Sequence, residues 1–456
     1  MARATITDWR PDDEAFWERT GRRVARRNLT WSVFAEFLGF SVWMLWSVTA
    51  VKLPDAGFDF TTGQLFWLVS LPGLVGATMR FPYTFAPARY GGRTWTVISA
   101  LLLLIPSIGL AVAVSSPETP YWAFLVLAGT AGFGGGNFSS SMANISFFYP
   151  ERHKGAALGL NAAGGNIGVA VVQKLVPLVI GGGLVGGAIL GGSTGEEGLY
   201  LQNAGLVYVP PILFAALMAW RRMDNLADGR SSVREQARAL RHKYCWIVTA
   251  LYIGAFGSFI GYSAALPLVV MTQFSGADPL TYAFLGPLVG SLSRPAGGWL
   301  SDRIGGARVT LAAFAGMSMG VPVVLAALHS GSLGAFLAAM MMLFVLAGMA
   351  NGSVFRMVPP LARKAAVERA GSGDRALAAA RREGAAVIGF SAAIAAYGGF
   401  LIPEGFKRSL EATGEIDAAF YAFLGYYAVC LSVTWWYFVR RSFAVGWAPS
   451  LADVRA

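Results

Sequence analysis

Apolar stretches follow one another along almost the whole chain, and each exceeds the roughly 18 residues that predict a membrane-spanning helix. Twelve can be placed, with centres near Val42, Gly76, Leu103, Gly132, Val169, Phe214, Phe256, Val289, Ser318, Leu343, Ile394 and Cys430. Only 13% of the 456 residues are charged, against roughly 25% in a soluble domain. The sequence therefore predicts an all-α integral membrane protein of twelve helices.

The basic residues are distributed unevenly, and their positions predict the topology. They cluster at the amino terminus, in the middle of the chain, after the tenth apolar stretch and near the end, whereas the opposite loops hold only Lys52, Lys407 and Arg408. Cytoplasmic loops of membrane proteins carry an excess of Lys and Arg, so both termini are expected to be cytoplasmic. The same distribution accounts for the formal charge of +11, and we expect no nucleic-acid partner.

The charge pattern also predicts how the chain is divided. We expect a cytoplasmic amino-terminal segment at 1–28, a six-helix half at 29–221, a cytoplasmic central loop at 222–244, a second six-helix half at 245–440 and a cytoplasmic tail at 441–456. The segment before the first apolar stretch is long, polar and charged, which argues against a cleavable signal peptide.

Two arginines lie inside apolar stretches, at the same position of an internal repeat. Arg80 lies in the second stretch and Arg294 in the eighth, and nine residues after each comes another arginine followed by x-Gly-Gly, at Arg89 and Arg303. An arginine at mid-membrane is costly, so each should face a polar cavity or a partner rather than lipid. Because planar guanidinium groups suit planar oxyanions, the repeated register predicts one central anion site built by both halves.

Glycine and small polar residues dominate residues 132–170, which read GFGGGNFSSSMANISFFYPERHKGAALGLNAAGGNIGVA. Glycines are expected where helices pack closely in a membrane, here at positions 132, 134, 135, 136, 159, 164, 165 and 168. Asn137, Ser141 and Asn144 recur on one helical face. They either line a pathway or form hydrogen bonds between helices, and the spacing leaves both interpretations open.

Residues 132–170 resemble, almost continuously, the nitrate signature of the nitrate/nitrite porter family of the major facilitator superfamily. The segments ITDWRP at 6–11, FGSFIGYS at 256–263 and GMANGS at 348–353 also resemble NarK-type members of that family. In addition, Gly298-x-x-x-Asp302-Arg303-x-Gly305 resembles the cytoplasmic loop motif of the superfamily, whose weaker copy at 85–93 lacks the acidic residue. The resemblance covers essentially the whole chain and implies the major facilitator fold of two six-helix halves.

The resemblance also implies a function. A NarK-type member would import nitrate in exchange for nitrite by rocker-switch alternating access, as a monomer in the lipid bilayer of the bacterial inner (cytoplasmic) membrane. The residues that match the family's substrate site are the two arginines that would hold the anion between them, a side-chain donor, a hydroxyl donor and two aromatic walls: Arg80, Arg294, Asn166, Tyr252, Phe138 and Phe256. Asp302 and Arg303 would belong to a gate motif.

The sequence contains no cluster typical of a metal site or of a catalytic nucleophile. Cys245 and Cys430 are isolated, and the three histidines fall in loops or at helix ends. We therefore expect no metal, no cofactor and no enzymatic activity.

Three charged residues depart from the pattern expected of the family. Arg356 is expected to extend toward the membrane surface, with a role in drawing anions into the cytoplasmic mouth as the alternative. Lys174 is expected to extend toward the membrane surface or to pair between helices. Glu36 is placed little more than one turn into the first helix, where a basic partner near the cytoplasmic face would explain it. A carboxylate in the membrane can also carry a proton, which leaves proton-coupled nitrate symport through Glu36 as an alternative. A membrane receptor that binds the anion without transporting it is the alternative of a different class.

Overall fold

The computed structural model describes residues 5–182, 184–195, 197–227, 241–370 and 374–440. Throughout these ranges the regular structure is helical, apart from one isolated parallel bridge between Ile6 and Leu226. Most of the predicted central loop (228–240) and the predicted tail (441–456) lie outside the described residues.

Twelve long helices make up the described chain. In chain order they are α1 Arg22–Trp43, α2 Thr62–Tyr90, α3 Gly92–Val114, α4 Tyr121–Phe148, α5 Glu151–Ile180, α6 Asn203–Arg222, α7 Lys243–Gln273, α8 Leu285–Ile304, α9 Gly306–His329, α10 Leu333–Ala370, α11 Asp374–Ala395 continued by Gly398–Thr413, and α12 Asp417–Val439. Ten of these helical regions are long and apolar enough to cross a membrane. The other two are less apolar, because α4 contains the Gly/Ser/Asn-rich part of the signature and α8 contains Arg294. The predicted all-α membrane fold of twelve helices is confirmed.

The two copies of the arginine repeat end in the same way. Arg80 lies ten residues before the last residue of α2, and Arg294 lies ten residues before the last residue of α8. Each helix is followed by a glycine in the left-handed region, Gly91 with φ 85° and Gly305 with φ 94°, and the next helix begins one residue later. A side chain is strained at such a φ, so glycine is required where the chain reverses. The sequence repeat is therefore also a structural repeat.

Contacts divide the described residues into two compact units. The first comprises 5–227, 263–272 and 277–284, without the gaps given above, and the second comprises 241–262, 273–276 and the residues from 285 onward. Each unit is built around a pair of glycine-packed helices, α2 with α4 in the first and α8 with α10 in the second.

In the first unit, glycines of the signature allow backbones to touch. A Cβ at Gly134 of α4 would overlap the carbonyl oxygen of Gly39 on α1, and a Cβ at Gly168 of α5 would overlap the carbonyl oxygen of Phe37. The expectation of close packing is confirmed for the signature glycines at 132, 134, 135, 136, 164, 165 and 168. It is wrong for Gly159, where an added Cβ would have no described atom of another element within 4 Å.

The first helix begins earlier than the sequence indicated. The boundary expected at residue 28 is replaced by a helix that starts at Arg22, so its basic first turns belong to the helix. Glu36 consequently lies about four turns from the helix start rather than little more than one. One of these basic residues, Arg27, pairs with Asp224 at 2.5 Å, and Asn28 donates to the same carboxylate at 2.9 Å.

Candidate functional site

Arg80 lies in a closed aromatic setting inside the first unit. Its side chain is fully buried, and its Nε donates a 3.0 Å hydrogen bond to the carbonyl oxygen of Gly135 on α4. The guanidinium carbon lies 4.7 Å from the ring centre of Phe138, 5.4 Å from Trp43 and 6.0 Å from Phe40. Aromatic faces attract a cation and fix the plane of the guanidinium group. The position and the plane of the positively charged Arg80 guanidinium are therefore fixed.

The signature glycines explain how Trp43 reaches this position. A Cβ at Gly76 on α2, or at Gly135 on α4, would lie 2.6 Å from the indole ring. The indole fills the space left by these two glycines, and its Nε1 donates to the carbonyl oxygen of Pro72 at 2.7 Å. The glycines that bring α2 and α4 together therefore also make room for a wall beside Arg80.

Two asparagines add buried amide groups to the first unit. Asn166 on α5 is buried, and its Oδ1 has no hydrogen-bond partner in the described chain. Asn137 on α4 packs against Gly39 of α1, and neither of its amide atoms finds a partner among the residues that the structure covers. A buried amide without a partner is costly unless water or a ligand satisfies it. Both residues are therefore candidates for contact with a hydrated anion.

The second unit presents its arginine beside a stack of rings. The guanidinium carbon of Arg294 lies 5.7 Å from the ring centre of Phe355 on α10. Phe355 in turn stacks on Tyr252 of α7 at 4.1 Å, and Tyr252 stacks on Phe256 at 5.6 Å with ring planes 8° apart. Tyr252 and Phe256, four residues apart in the sequence, therefore share a face of α7 across an irregular turn at Ile253–Gly257.

The hydroxyl of Tyr252 is held by a partner that the sequence reading did not assign. It donates a 2.6 Å hydrogen bond to Oδ1 of Asn351, whose Nδ2 has no partner among the described residues. A hydroxyl whose hydrogen is used in this way offers its lone pairs to other donors rather than its own hydrogen to an anion. In this geometry Asn351 Nδ2 is the available donor of the pair, and Tyr252 positions it.

Four residues around the arginines were missed as site residues, namely Phe40, Trp43, Asn351 and Phe355. On α10, Asn351 and Phe355 are four residues apart and so share a helical face. The same holds for Glu36, Phe40 and Trp43 on α1, which follow an i, i+4, i+7 spacing. This spacing was the available signal in the sequence.

Asp302, in the motif that resembles the cytoplasmic loop motif of the superfamily, forms an ion pair within the second unit. Asp302, near the end of α8, lies 3.0 Å from the Nη2 atom of Arg356 on α10, and both side chains are more than half exposed. The guanidinium of Arg303 stacks on Trp299 at 3.8 Å. Arg356 is exposed, as extension toward the membrane surface predicts, and its guanidinium also has an acidic partner in Asp302.

Lys174 and Glu36 have different surroundings. Lys174 is exposed, and its Nζ lies 4.7 Å from the ring centre of Phe284. Glu36 is buried, with 1% of its surface exposed, and its carboxylate accepts hydrogen bonds from Ser141 on α4 and from Asn161 on α5. Asn137, Ser141 and Asn144 were expected either to line a pathway or to form hydrogen bonds between helices, and Ser141 forms hydrogen bonds between helices.

Comparisons with known proteins agree with this architecture. Residues 34–373 match the sequence profile of the family described as "Major Facilitator Superfamily". Two solved structures share the fold: a D-xylose-proton symporter, with a TM-score of 0.65, 15% identity and coverage of 90% of this chain and 96% of that one, and a bacterial homolog of the human lysosomal transporter Spinster, with a TM-score of 0.62, 16% identity and coverage of 89% and 95%.

Curated relatives match over almost the full length. The nitrate/nitrite transporter NarU of Escherichia coli (strain K12) is 42% identical over 97% of this chain and 98% of its own length. A probable nitrate/nitrite antiporter, NarK2 of Thermus thermophilus, is 41% identical over 96% and 97%. These relatives are transporters and not enzymes, and the described residues contain no cluster that could hold a metal ion. The chain is a multi-pass membrane protein of the major facilitator superfamily and belongs to its NarK-type nitrate/nitrite porter family.

Proposed function

We propose that this protein exchanges nitrate for nitrite across the bacterial inner membrane, and that Arg80 and Arg294 bind the transported anion. The observation that carries the proposal is the repeated arginine. Each half holds one arginine eleven residues before a glycine with positive φ, next to an aromatic ring and on a glycine-packed helix. The names of the full-length relatives, a nitrate/nitrite transporter and a probable antiporter, support the same substrates.

The chemistry of the two arginines fits a flat, singly charged oxyanion. Each guanidinium offers parallel N–H groups in one plane, which match two oxygens of nitrate or nitrite. The rings beside each arginine are apolar, so they tolerate a weakly hydrated anion better than phosphate, which needs more donors and more counter-charge. Asn166 and Asn351 can add neutral donors at the edge of such a site.

The arginines also explain why exchange is favoured over uniport. In the proposed cycle one monovalent anion is bound by both arginines, and it offsets part of their repulsion. Without an anion the two positive charges oppose closure, so an empty carrier reorients slowly. Nitrate entry then depends on nitrite leaving, by the rocker-switch alternating access that the family implies.

The remaining assignments follow from the same proposal. Both termini are assigned to the cytoplasm, the two six-helix halves (α1–α6 and α7–α12) are joined by the central loop, and the transporter acts as a monomer in the bilayer. Asp302 and Arg303 are assigned to the cytoplasmic gate rather than to anion binding.

Transport in proteoliposomes tests the proposed function. Purified protein is reconstituted, and uptake of labelled nitrate is measured with nitrite, with nitrate or with neither anion inside. Exchange predicts fast uptake with either internal anion and little uptake without one. Equal uptake into empty vesicles, or accumulation driven by a pH gradient alone, would overturn exchange, and the second outcome would favour symport. If the protein binds nitrate but shows no counterflow of nitrate or nitrite, the result would favour the alternative of a receptor that binds the anion without transporting it.

A further inference from the structure

We infer that Glu36, with Ser141 and Asn161, forms a proton-binding site whose occupancy is linked to anion binding in the first unit. The inference rests on the proposed function, because it concerns the neighbourhood of Arg80. It assigns a ligand, the proton, to a buried polar cluster that anion exchange by itself does not require.

Three helices each contribute one residue to the cluster. The Ser141 hydroxyl donates to the Glu36 carboxylate, the Asn161 amide donates to the same oxygen at 2.5 Å, and the amide also donates to the Ser141 hydroxyl at 2.8 Å. The other carboxylate oxygen lies against α5 at Gly165, where a Cβ would come within 2.8 Å of it. The Ser141 hydroxyl and the Asn161 amide are uncharged donors, so their hydrogen bonds persist when the carboxyl group gains or loses a proton.

The cluster lies one helical turn from the proposed anion-binding residues on all three helices. On α1, Phe40 follows Glu36 by four residues, and on α4, Phe138 precedes Ser141 by three. On α5, Asn166 follows Asn161 by five. At a rise of about 1.5 Å per residue these separations are roughly 4 to 8 Å along each helix. Because α1 and α5 run antiparallel to α4, the offset has the same direction on each helix.

The amide of Asn137 lies between the Glu36 cluster and the residues around Arg80. It is one turn from Ser141 on α4 and packs against Gly39, which is three residues after Glu36 on α1. Neither of its amide atoms has a partner among the described residues, although the side chain is buried. A water molecule bound here would join the carboxyl cluster to the layer of Phe138 and Arg80.

The charged and titratable groups near α1 single out Arg80 as the group coupled to Glu36. No charged side chain occurs between Tyr121 and Phe148 on α4. The charged and titratable groups on α1, on the short helical segment Glu14–Gly21 before it, and on the elements and loop residues packed against it are Glu14, Glu18, Arg19, Arg22, Arg23, Arg26, Arg27, Arg80, Tyr83, Arg89, Tyr90, Arg93, Tyr121, Glu151, Arg152, His153, Lys154, Lys174, Tyr208, Arg221, Arg222 and Asp224. Of these, Arg80 lies beside Phe40, the residue one turn from Glu36.

The sign of the linkage follows from the charges. An ionised Glu36 places a negative charge about one turn from the Arg80 layer and opposes the arriving anion. Protonation removes that charge, so the anion binds more tightly, and by reciprocity anion binding favours proton uptake. If nitrate and nitrite each travel with this proton, exchange remains electroneutral and a pH gradient does not drive it. The pH on both sides then sets the apparent affinity.

Proton uptake on anion binding tests the inference directly. Purified protein in weakly buffered detergent solution receives sodium nitrate, and a pH indicator reports protons taken up. The wild type is expected to take up protons, and Glu36→Gln is expected to take up none. Glu404→Gln is the matched control, since Glu404 is a buried carboxylate of the second unit held by Lys407 and Arg408. It should behave as the wild type does.

Exchange at equal pH on both sides provides the second measurement. In the wild type the KM for nitrate should rise, by roughly tenfold, as the pH increases through the range in which Glu36 loses its proton. Glu36→Gln keeps the shape of a protonated carboxyl, so it should retain exchange with a low KM that no longer depends on pH. A purely structural role would leave the pH profile unchanged in this variant. The inference is wrong if the wild type takes up no protons, or if Glu36→Gln keeps the rise in KM. Absence of counterflow at every pH would instead count against the proposed function.

Discussion

The two units carry the same arginine in the same register, yet they hold it differently. Arg80 is fully buried, lies beside the rings of Phe40, Trp43 and Phe138, and donates from Nε to the carbonyl oxygen of Gly135, whereas Arg294 is half-buried and lies beside the ring of Phe355. The first unit thus fixes its guanidinium through the backbone. The second unit instead fixes a tyrosine–asparagine pair near its arginine. A repeat in sequence preserves the position of a charge, while the neighbouring helices determine how rigidly that charge is held.

Charge-conserving replacement of each arginine is the strongest test of this difference. Arg80→Lys loses the Nε bond to Gly135 and the planar fork, so kcat/KM for nitrate exchange should fall about 100-fold. Arg294→Lys loses the fork but no backbone anchor, and a fall of about tenfold is expected. Initial rates of counterflow, normalised to folded protein in the membrane, give both values. Near-normal exchange in either variant would remove that arginine from the anion site, and equal losses would refute the contrast between the units.

Glycine replacement tests whether close helix crossings matter equally in both units. Gly134→Ala would place a methyl group on the carbonyl oxygen of Gly39, and Gly352→Ala would place one on the carbonyl oxygen of Arg294. Each should lower stability by about 1–3 kcal/mol because a packed backbone cannot give way easily. Thermal unfolding in detergent measures the loss. Gly159→Ala and Gly389→Ala are the matched controls, since a Cβ added at either position would meet no described atom of another element within 4 Å, and a large loss in either control would contradict the argument.

Some parts of the candidate site can be predicted from the sequence. The arginines were predictable because a charge in an apolar stretch has few physical explanations, and the x-Gly-Gly register marked the repeat. Tyr252 and Phe256 were predictable from one-turn spacing combined with the family resemblance. In each of these cases the information lies within one helix.

The residues that the sequence did not predict depend on contacts between helices. Trp43 reaches Arg80 only because Gly76 and Gly135, on two other helices, leave space for its ring. The basic run before Glu36 predicts a loop, whereas the structure makes Arg22 the first residue of the helix, so Glu36 lies deeper in the helix than the sequence indicates. Gly159 looked like its packed neighbours in the signature, but it faces no described helix. Local patterns identify a residue's chemistry better than its partner.

Smaller side-chain changes should separate the two ways of holding an arginine. Tyr252→Phe removes the hydroxyl that orients Asn351, so the KM for nitrate should rise about fivefold, the value of one hydrogen bond. Phe138→Leu removes the nearest ring from Arg80 and should raise KM about threefold. Exchange rates over a range of nitrate concentrations give both values. Tyr426→Phe is the control, because its hydroxyl binds the carbonyl oxygen of Ala250 instead, and a rise of the same size there would show that the effect is not specific to the site.

The smallest effect is expected at the gate motif, where the two repeats differ in sequence as well as in packing. Asp302 pairs with Arg356 in the second unit, whereas the matching position of the first unit is Ala88. Because both partners are more than half exposed, solvent and salt weaken the pair, which contributes about 0–1 kcal/mol. Asp302→Asn should therefore change the exchange rate by less than about fivefold, and the change should shrink further at high ionic strength. Counterflow measured at low and high salt, using a salt whose anion is not transported, checks both statements. A loss as large as that of Arg80→Lys, unaffected by salt, would mean that Asp302 acts in the transport step itself and not through its exposed partner.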